Sequence, residues 1–263
     1  MMSARLNMLA SLRGDIARVE THDGAYQPAR VALGHAEADA VLQGGLARGA
    51  MHEIFTEAGR QSTAATGFIA GLSGRVAARR PLLWVRQDFS EREAGALSMS
   101  GFAELGLNPR LLVTVRAPDA ETALRTAADA LACDALGAVV LELWGETRQL
   151  DLVASRKLTL AAQASGVTAL LLRIAATPSP STAETRWIVR AAHSPPTAPS
   201  QAWGAPVFDA ELIRNRHGLL GRWIMEWKCD ECLFAKQAAD SQSLAAAPAH
   251  RPHPAQARVQ RFA

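Results

Sequence analysis

Cysteine, aromatic residues and long apolar runs are all scarce in this sequence. Its 263 residues include three cysteines, one tyrosine and 5% aromatic residues in total. A small, odd cysteine count provides no disulfide framework and suits a reducing compartment, so a cytoplasmic protein is expected. No stretch approaches the roughly 18 apolar residues of a membrane-spanning helix. The longest candidates, such as Leu136 to Leu143 and Thr168 to Leu172, have the length of core strands. The first residues carry Arg5 and Arg13 without a continuous apolar stretch or cleavage site, so they do not read as a secretory signal. Strong net charge is missing as well. A formal charge of +3 and a pI near 9.0 permit an anionic partner without demanding one. What is present is apolar bulk: 49% of the residues, enough to bury the core of one large domain with an appended tail.

Leu6, Leu9, Leu12, Ile16 and Val19 recur at steps of three and four, which predicts an amphipathic N-terminal helix. A looser linker containing Gly24, Pro28 and Gly34 follows, so residues 1–36 form a leading segment. From there strand-like runs at 51–55, 81–85, 111–115, 138–143 and 168–173 alternate with helical stretches at 64–79, 120–133 and 150–165. Asp119 is placed to cap the second of these helices, whose stretch takes in Cys133, and Gly137 breaks the chain before the next strand. Short apolar β-runs separated by helices of this length imply crossover units: an α/β fold with a mainly parallel central sheet. Prolines 178 and 180, then 195, 196 and 199, mark two connections on either side of a short strand at 186–189. Phe208, Ala210 and Leu212, and later Trp223, Met225 and Trp227, alternate with polar neighbours around Gly218 and Gly221. That predicts a C-terminal antiparallel extension with both tryptophans in the core. The main domain is expected to span 37–240. Residues 241–263 are rich in Ala, Pro, His, Gln and Arg, have no acidic residue, and read as a disordered basic tail.

The turn between the first strand and first helix reads Phe55-Thr56-Glu57-Ala58-Gly59-Arg60-Gln61-Ser62-Thr63. This is where a nucleotide hydrolase of crossover type carries G-x-x-x-x-G-K-[ST], glycines letting backbone N–H groups wrap the phosphates and lysine meeting the terminal charge. Here Thr56 stands for the first glycine, Gln61 for the second and Ser62 for the lysine, and only Thr63 fits. No Gly-Lys-Ser or Gly-Lys-Thr triplet occurs anywhere in the chain. A helix N-terminus still attracts anions without a lysine, so Gly59, Arg60, Ser62 and Thr63 remain candidate nucleotide contacts, with ATP the candidate ligand. Glu57 argues against that use, and a turn with no ligand is the favoured reading. The strand over 138–143 should end in an aspartate that positions magnesium, and Glu142 stands there instead, a methylene longer. Gln87, Asp88, Glu91 and Glu93 follow the second strand as candidates for activating water. Together these changes predict a scaffold without hydrolysis, with a divergent ATPase using Thr63 and Glu142 as the alternative.

Four stretches carry a resemblance. They are Leu42-Gln43-Gly44-Gly45-Leu46-Ala47-Arg48-Gly49 running into His52-Glu53-Ile54-Phe55; Leu150 to Leu158 with Ala164 to Thr168 behind it; Thr185-Arg186-Trp187; and Gly221-Arg222-Trp223 with Glu226-Trp227. In this order and spacing, over roughly residues 37 to 228, the chain resembles the RecA-like inducible mutagenesis protein A (ImuA) family. The resemblance implies a RecA-like core of the P-loop NTPase type. It also implies a non-catalytic accessory role in damage-induced (SOS) translesion DNA synthesis. Implied partners are an inactive Y-family-like polymerase homologue, an error-prone C-family polymerase and RecA. Such proteins are also grouped with SulA-type inhibitors of cell division, so binding of the tubulin-like division protein stays open.

Arg173, Arg186, Arg190, Arg214, Arg216 and Arg222 gather in the C-terminal half. Glu184, Asp209, Glu211 and Glu226 interleave with them, which breaks any continuous phosphate track and favours a protein contact over DNA. Arg186, Arg214, Arg216 and Arg222, together with Arg251, Arg258, Arg261 and Phe262 of the tail, are the candidate partner-binding residues. Cys229-Asp230-Glu231-Cys232 has metal-site spacing but no second ligand pair, and its two carboxylates would raise the thiol pKa. No metal or redox role is expected there.

Overall fold

Sequences such as Ala138–Trp144 and Thr168–Ile174 are apolar at most positions, so each needs cover on both faces. The computed structural model describes residues 29–57, 59–195, 204–216 and 218–237 and gives them that cover. The N-terminal helix, Pro196, Pro199 and the tail with Arg251, Arg258, Arg261 and Phe262 lie outside the described residues. In chain order the elements are β1 (Arg30–Val31), α1 (Ala36–Val41), β2 (Leu46–Ala47), β3 (Met51–Thr56), α2 (Ser62–Ala77) and β4 (Leu82–Gln87). Then come α3 (Asp88–Ala94), α4 (Met99–Glu104), β5 (Leu112–Ala117), α5 (Ala120–Leu131), β6 (Ala138–Trp144), α6 (Leu152–Ser165) and β7 (Thr168–Ile174). The last four strands are β8 (Thr185–Ala191), β9 (Val207–Asn215), β10 (Gly221–Lys228) and β11 (Leu233–Lys236).

The fold is α/β, organised on one large, mostly parallel sheet of order β11-β10-β9-β8-β3-β7-β6-β4-β5. Strands β8, β3, β7, β6, β4 and β5 run parallel; β9, β10 and β11 extend the sheet antiparallel beyond β8. Side chains alternate between faces along each strand, so the two halves of every apolar run feed two separate cores. Ile54, Val140, Leu170 and Leu172 meet Ala65, Phe68 and Leu72 of α2. Met51, Val139, Leu141 and Leu171 meet Ala123 and Ala127 of α5 and Leu158 and Ala162 of α6. The result is helix, sheet, helix.

Local chemistry fixes the helix ends. The Asp119 carboxylate accepts from the Thr122 amide at 2.7 Å and that of Asp151 from Ala154 at 2.8 Å, capping α5 and α6. Gly166 ends α6 with φ of +76°, a conformation glycine adopts without the Cβ clash. Helix α2 is buried almost all round because the antiparallel strands pack on its outer side. Phe68 contacts the rings of Trp187, Phe208 and Phe234, and Gly71 lets Phe234 and Trp227 approach so closely that a Cβ would lie 2.9 Å from each.

The predicted strands and long helices appear within two residues of their expected ends, and Trp223, Met225 and Trp227 point inward as their alternation requires. Three features differ from expectation. Cys133 lies beyond the end of α5, not inside it. Leu33 and His35, assigned to the leading segment, are buried in the main core, and the Phe234 amide donates to Leu33 O at 2.9 Å. The chain also adds β11, α3 and α4, which are too short for a periodic signal. Among the described residues no helix is long and apolar enough to cross a membrane.

Candidate functional site

The turn from β3 into α2 occupies the position an anion site would need. The β3-to-β4 crossover runs toward one edge of the sheet and the β7-to-β8 connection toward the other, so β3 and β7 flank a reversal in strand order. Ligands of open α/β sheets bind at such switch points, beyond the carboxyl ends of the strands. The predicted loop residues Gly59, Arg60, Ser62 and Thr63 follow one another here, through a 3₁₀ turn at Gly59–Gln61 into the helix. Ser62 is buried, while Arg60 and Thr63 face solvent.

Protein groups already engage the loop. The Glu57 carboxylate accepts from Arg190 Nη2 at 2.9 Å, and the other arm of that guanidinium reaches Glu211 at 3.0 Å. Both contacts favour the charged form and raise the Arg190 pKa above its usual value, the Glu57 hydrogen bond most of all. Gln61 sits at the N-cap of α2 yet makes no capping bond; its Oε1 accepts from the Ala191 amide at the end of β8, 2.9 Å away. Gly59 lies against the indole of Trp144, where an added Cβ would be 2.9 Å from Cζ2. The glycine here makes room for a ring.

Glu142, at the expected magnesium position, is fully buried. Strands β4 and β6 pair Arg86 directly with Glu142, and Trp84 precedes Arg86 by two residues on the same face. The carboxylate therefore receives three donors: Arg86 Nε at 2.9 Å, Arg86 Nη2 at 3.0 Å and Trp84 Nε1 at 2.8 Å. The remaining arm of Arg86 donates to Gly95 O at 3.0 Å. A bidentate guanidinium pair of this kind is among the stronger hydrogen-bonded contacts in proteins. For Glu142 to hold a cation, Arg86, only 5% exposed, would lose its counter-charge, a change that costs about 3–5 kcal/mol. Three of the four candidates for activating water are engaged too, and Glu93 is exposed. Gln87 Oε1 accepts from the Trp144 amide at 2.9 Å, and Asp88 and Glu91 face Arg116 at 3.0 and 3.2 Å.

A second polar cluster lies on the opposite face of the sheet. Glu53 of β3 accepts from Arg186 Nε and from Ser181 Oγ, each at 2.8 Å. Arg186, expected on a contact surface, is thus buried in an internal ion pair. Arg173 and Arg186 place their guanidinium groups 5.5 and 5.6 Å from the centre of the Phe55 ring. Arg214 donates to Ser181 O at 2.7 Å and holds the β7–β8 connection. Arg222 pairs with Asp209 at 2.7 Å, depressing that carboxyl's pKa through the hydrogen bond first, and Arg216 is exposed.

Trp84 and Arg86 went unnoticed in the sequence and Glu53 was noted only within a resembling stretch, although a charged residue inside an apolar β-run is itself a signal that a buried partner exists. The two cysteines of the CxxC stretch lie in the β10–β11 turn, where Cys232 Sγ donates to Gly106 O at 3.2 Å. Burial, with the Asp230 charge adding to it, pushes the Cys229 thiol up. Comparison with family models and with curated proteins finds no match to this chain.

Proposed function

We propose that this chain is a non-hydrolysing accessory protein of damage-induced mutagenic translesion synthesis, in which a RecA-like scaffold serves as a docking platform. Its partners in this reading are an inactive Y-family-like polymerase homologue and an error-prone C-family polymerase. The order of the four resembling stretches supports the process, and the strand–turn–helix at the sheet's switch point supports the scaffold. One observation carries the non-hydrolytic part: the Glu142 carboxylate is buried and already engaged by three donors from Arg86 and Trp84. The loop points the same way, since Gln61 and Glu57 are bound to β8 and Gly59 is covered by Trp144.

Surface suited to docking lies at the β9–β10 hairpin. Leu219, Leu220 and Ile224 are exposed there beside Arg216 and Arg222. Apolar surface flanked by arginine is the usual make-up of a protein contact. The test is co-purification of the full chain with the polymerase homologue. A stoichiometric complex weakened by Leu219→Asp/Leu220→Asp supports the reading. Failure of the two proteins to associate, with filamentation on overexpression in cells lacking both polymerases, replaces it with division inhibition.

A further inference from the structure

The turn between β6 and α6 and the connection between β7 and β8 meet beyond the carboxyl ends of the strands, on the α6 face. They leave an open cleft of about 400 Å³, lined by Glu146, Arg148, Leu152, Arg173, Ser179 and Pro180 among others. Leu172 and Ile174 point to the α2 core, so Arg173 between them points the other way, away from the loop described above.

Arg173 is 2% exposed, and its Nε has no hydrogen-bond partner. The two nearby carboxylates are held by other donors. Glu53 is engaged by Arg186 and Ser181, and Glu146 Oε1 accepts from the amide and hydroxyl of Thr177 at 2.8 and 2.6 Å. Guanidinium stays charged in proteins, and burying it without hydrogen-bonded compensation is unfavourable. A donor kept in that state at the wall of a cleft is a receptor lacking its acceptor. The first turn of the 14-residue α6 opens on the same space through Leu152. Asp151 caps only the Ala154 amide, leaving the Leu152 and Val153 amides without an acceptor inside the helix.

Donor geometry and surface select the ligand. Arg148 and Arg173 are balanced by Glu146 and Asp151 around the cleft, so the lining carries no net charge, and the open Nε donor of Arg173 is what calls for a single anionic acceptor. A nucleic-acid backbone would set successive phosphates against those carboxylates. Beside the cleft Leu152 is 54% and Val153 61% exposed, an apolar shelf at its rim. We propose that this cleft binds a single carboxylate presented by an acidic residue with apolar neighbours in a partner's peptide segment, with Arg173 as its receptor. The assignment rests on the docking reading for the existence of a partner and adds the partner's chemistry.

The experiment is an NMR titration of the full-length protein with acetyl-Leu-Glu-Leu-amide, its Gln counterpart, sodium acetate and inorganic phosphate, following the Leu152 and Val153 backbone amides in every variant and the Arg173 Nε–H where the arginine is present. The Glu peptide is expected to bind at least about tenfold more tightly than the Gln peptide, tenfold being the worth of 1.4 kcal/mol. Arg173→Met should abolish the difference while changing the unfolding midpoint little, because the variant removes a buried charge whose Nε lacks a hydrogen-bond partner together with its contact to the Phe55 ring. Arg173→Lys, which keeps the charge but not the fork, should weaken peptide binding and serves if the methionine variant does not fold. Equal binding of the two peptides overturns the proposal. So does tighter binding of phosphate, which would make this a phosphate site, or acetate as effective as the peptide. If Arg173→Met still captures the polymerase homologue and the peptides show no preference, this site falls and the docking reading stands.

Discussion

Replacing Glu142 with Gln separates a structural carboxylate from a catalytic one. The substitution preserves size and one acceptor oxygen but removes the charge and turns an NH2 donor toward Arg86, itself a donor. Arg86 Nε and Nη2 sit 2.9 and 3.0 Å from the carboxylate oxygens in an environment almost closed to water. Removing one member of a buried pair costs about 3–5 kcal/mol, and the retained oxygen puts Glu142→Gln near the lower end, at about 3 kcal/mol. At about 2–4 °C per kcal/mol for a domain of this size, the midpoint should fall by about 6–12 °C. Urea and thermal unfolding followed by circular dichroism would measure both. A companion variant sharpens the test: Arg86→Met with Glu142→Leu removes both charges and should recover up to about 2 kcal/mol of the loss. The Trp84 N–H, left without its acceptor, should retain about 1–3 kcal/mol of it. A Glu142→Gln protein within about 0.5 kcal/mol of the parent would refute the reasoning, because the carboxylate would then not be what neutralises Arg86.

Three further outcomes are expected. Burial pushes the His52 pKa down to about 4, with the ring held between Thr185 Oγ1 and Ala47 O, so the folded state favours neutral imidazole. The folded pKa lies below the ordinary 6.5, so this contribution is intact above pH 6.5 and declines by about 1.4 kcal/mol per unit toward pH 4; urea unfolding should show a fall of about 2 kcal/mol from pH 7 to 5, which His52→Gln should remove. Phe68→Ala, which empties the space between Trp187, Phe208 and Phe234, should cost about 3–5 kcal/mol by the same assay. Gly166→Ala, at φ +76°, should cost about 1 kcal/mol, read as a small fall in unfolding midpoint with unchanged helicity.

The sheet was legible wherever its strands are buried on both faces. Ala138–Trp144 and Thr168–Ile174 announce themselves as apolar runs between helix-length segments, and Trp223, Met225 and Trp227 as a period-two stripe. Four-residue β11 and seven-residue α3 fall below the length at which periodicity carries information. The loop could be recognised as altered because its motif is local in sequence. What occupies it could not: Glu142 meets Arg86 across 56 residues, and Gln61 meets Ala191 across 130. Both contacts depend on strand register and order, which no local pattern encodes. Arg186 illustrates the same limit. As one arginine in a basic stretch it reads as surface, and only pairing of β8 with β3 sets it beside Glu53.

The most direct test of the central claim is steady-state phosphate release from magnesium ATP by the purified full-length protein, alone and with its polymerase-homologue partner. The account predicts no release above the buffer rate in either state. Saturable turnover that disappears in Thr63→Ala at unchanged stability would contradict it.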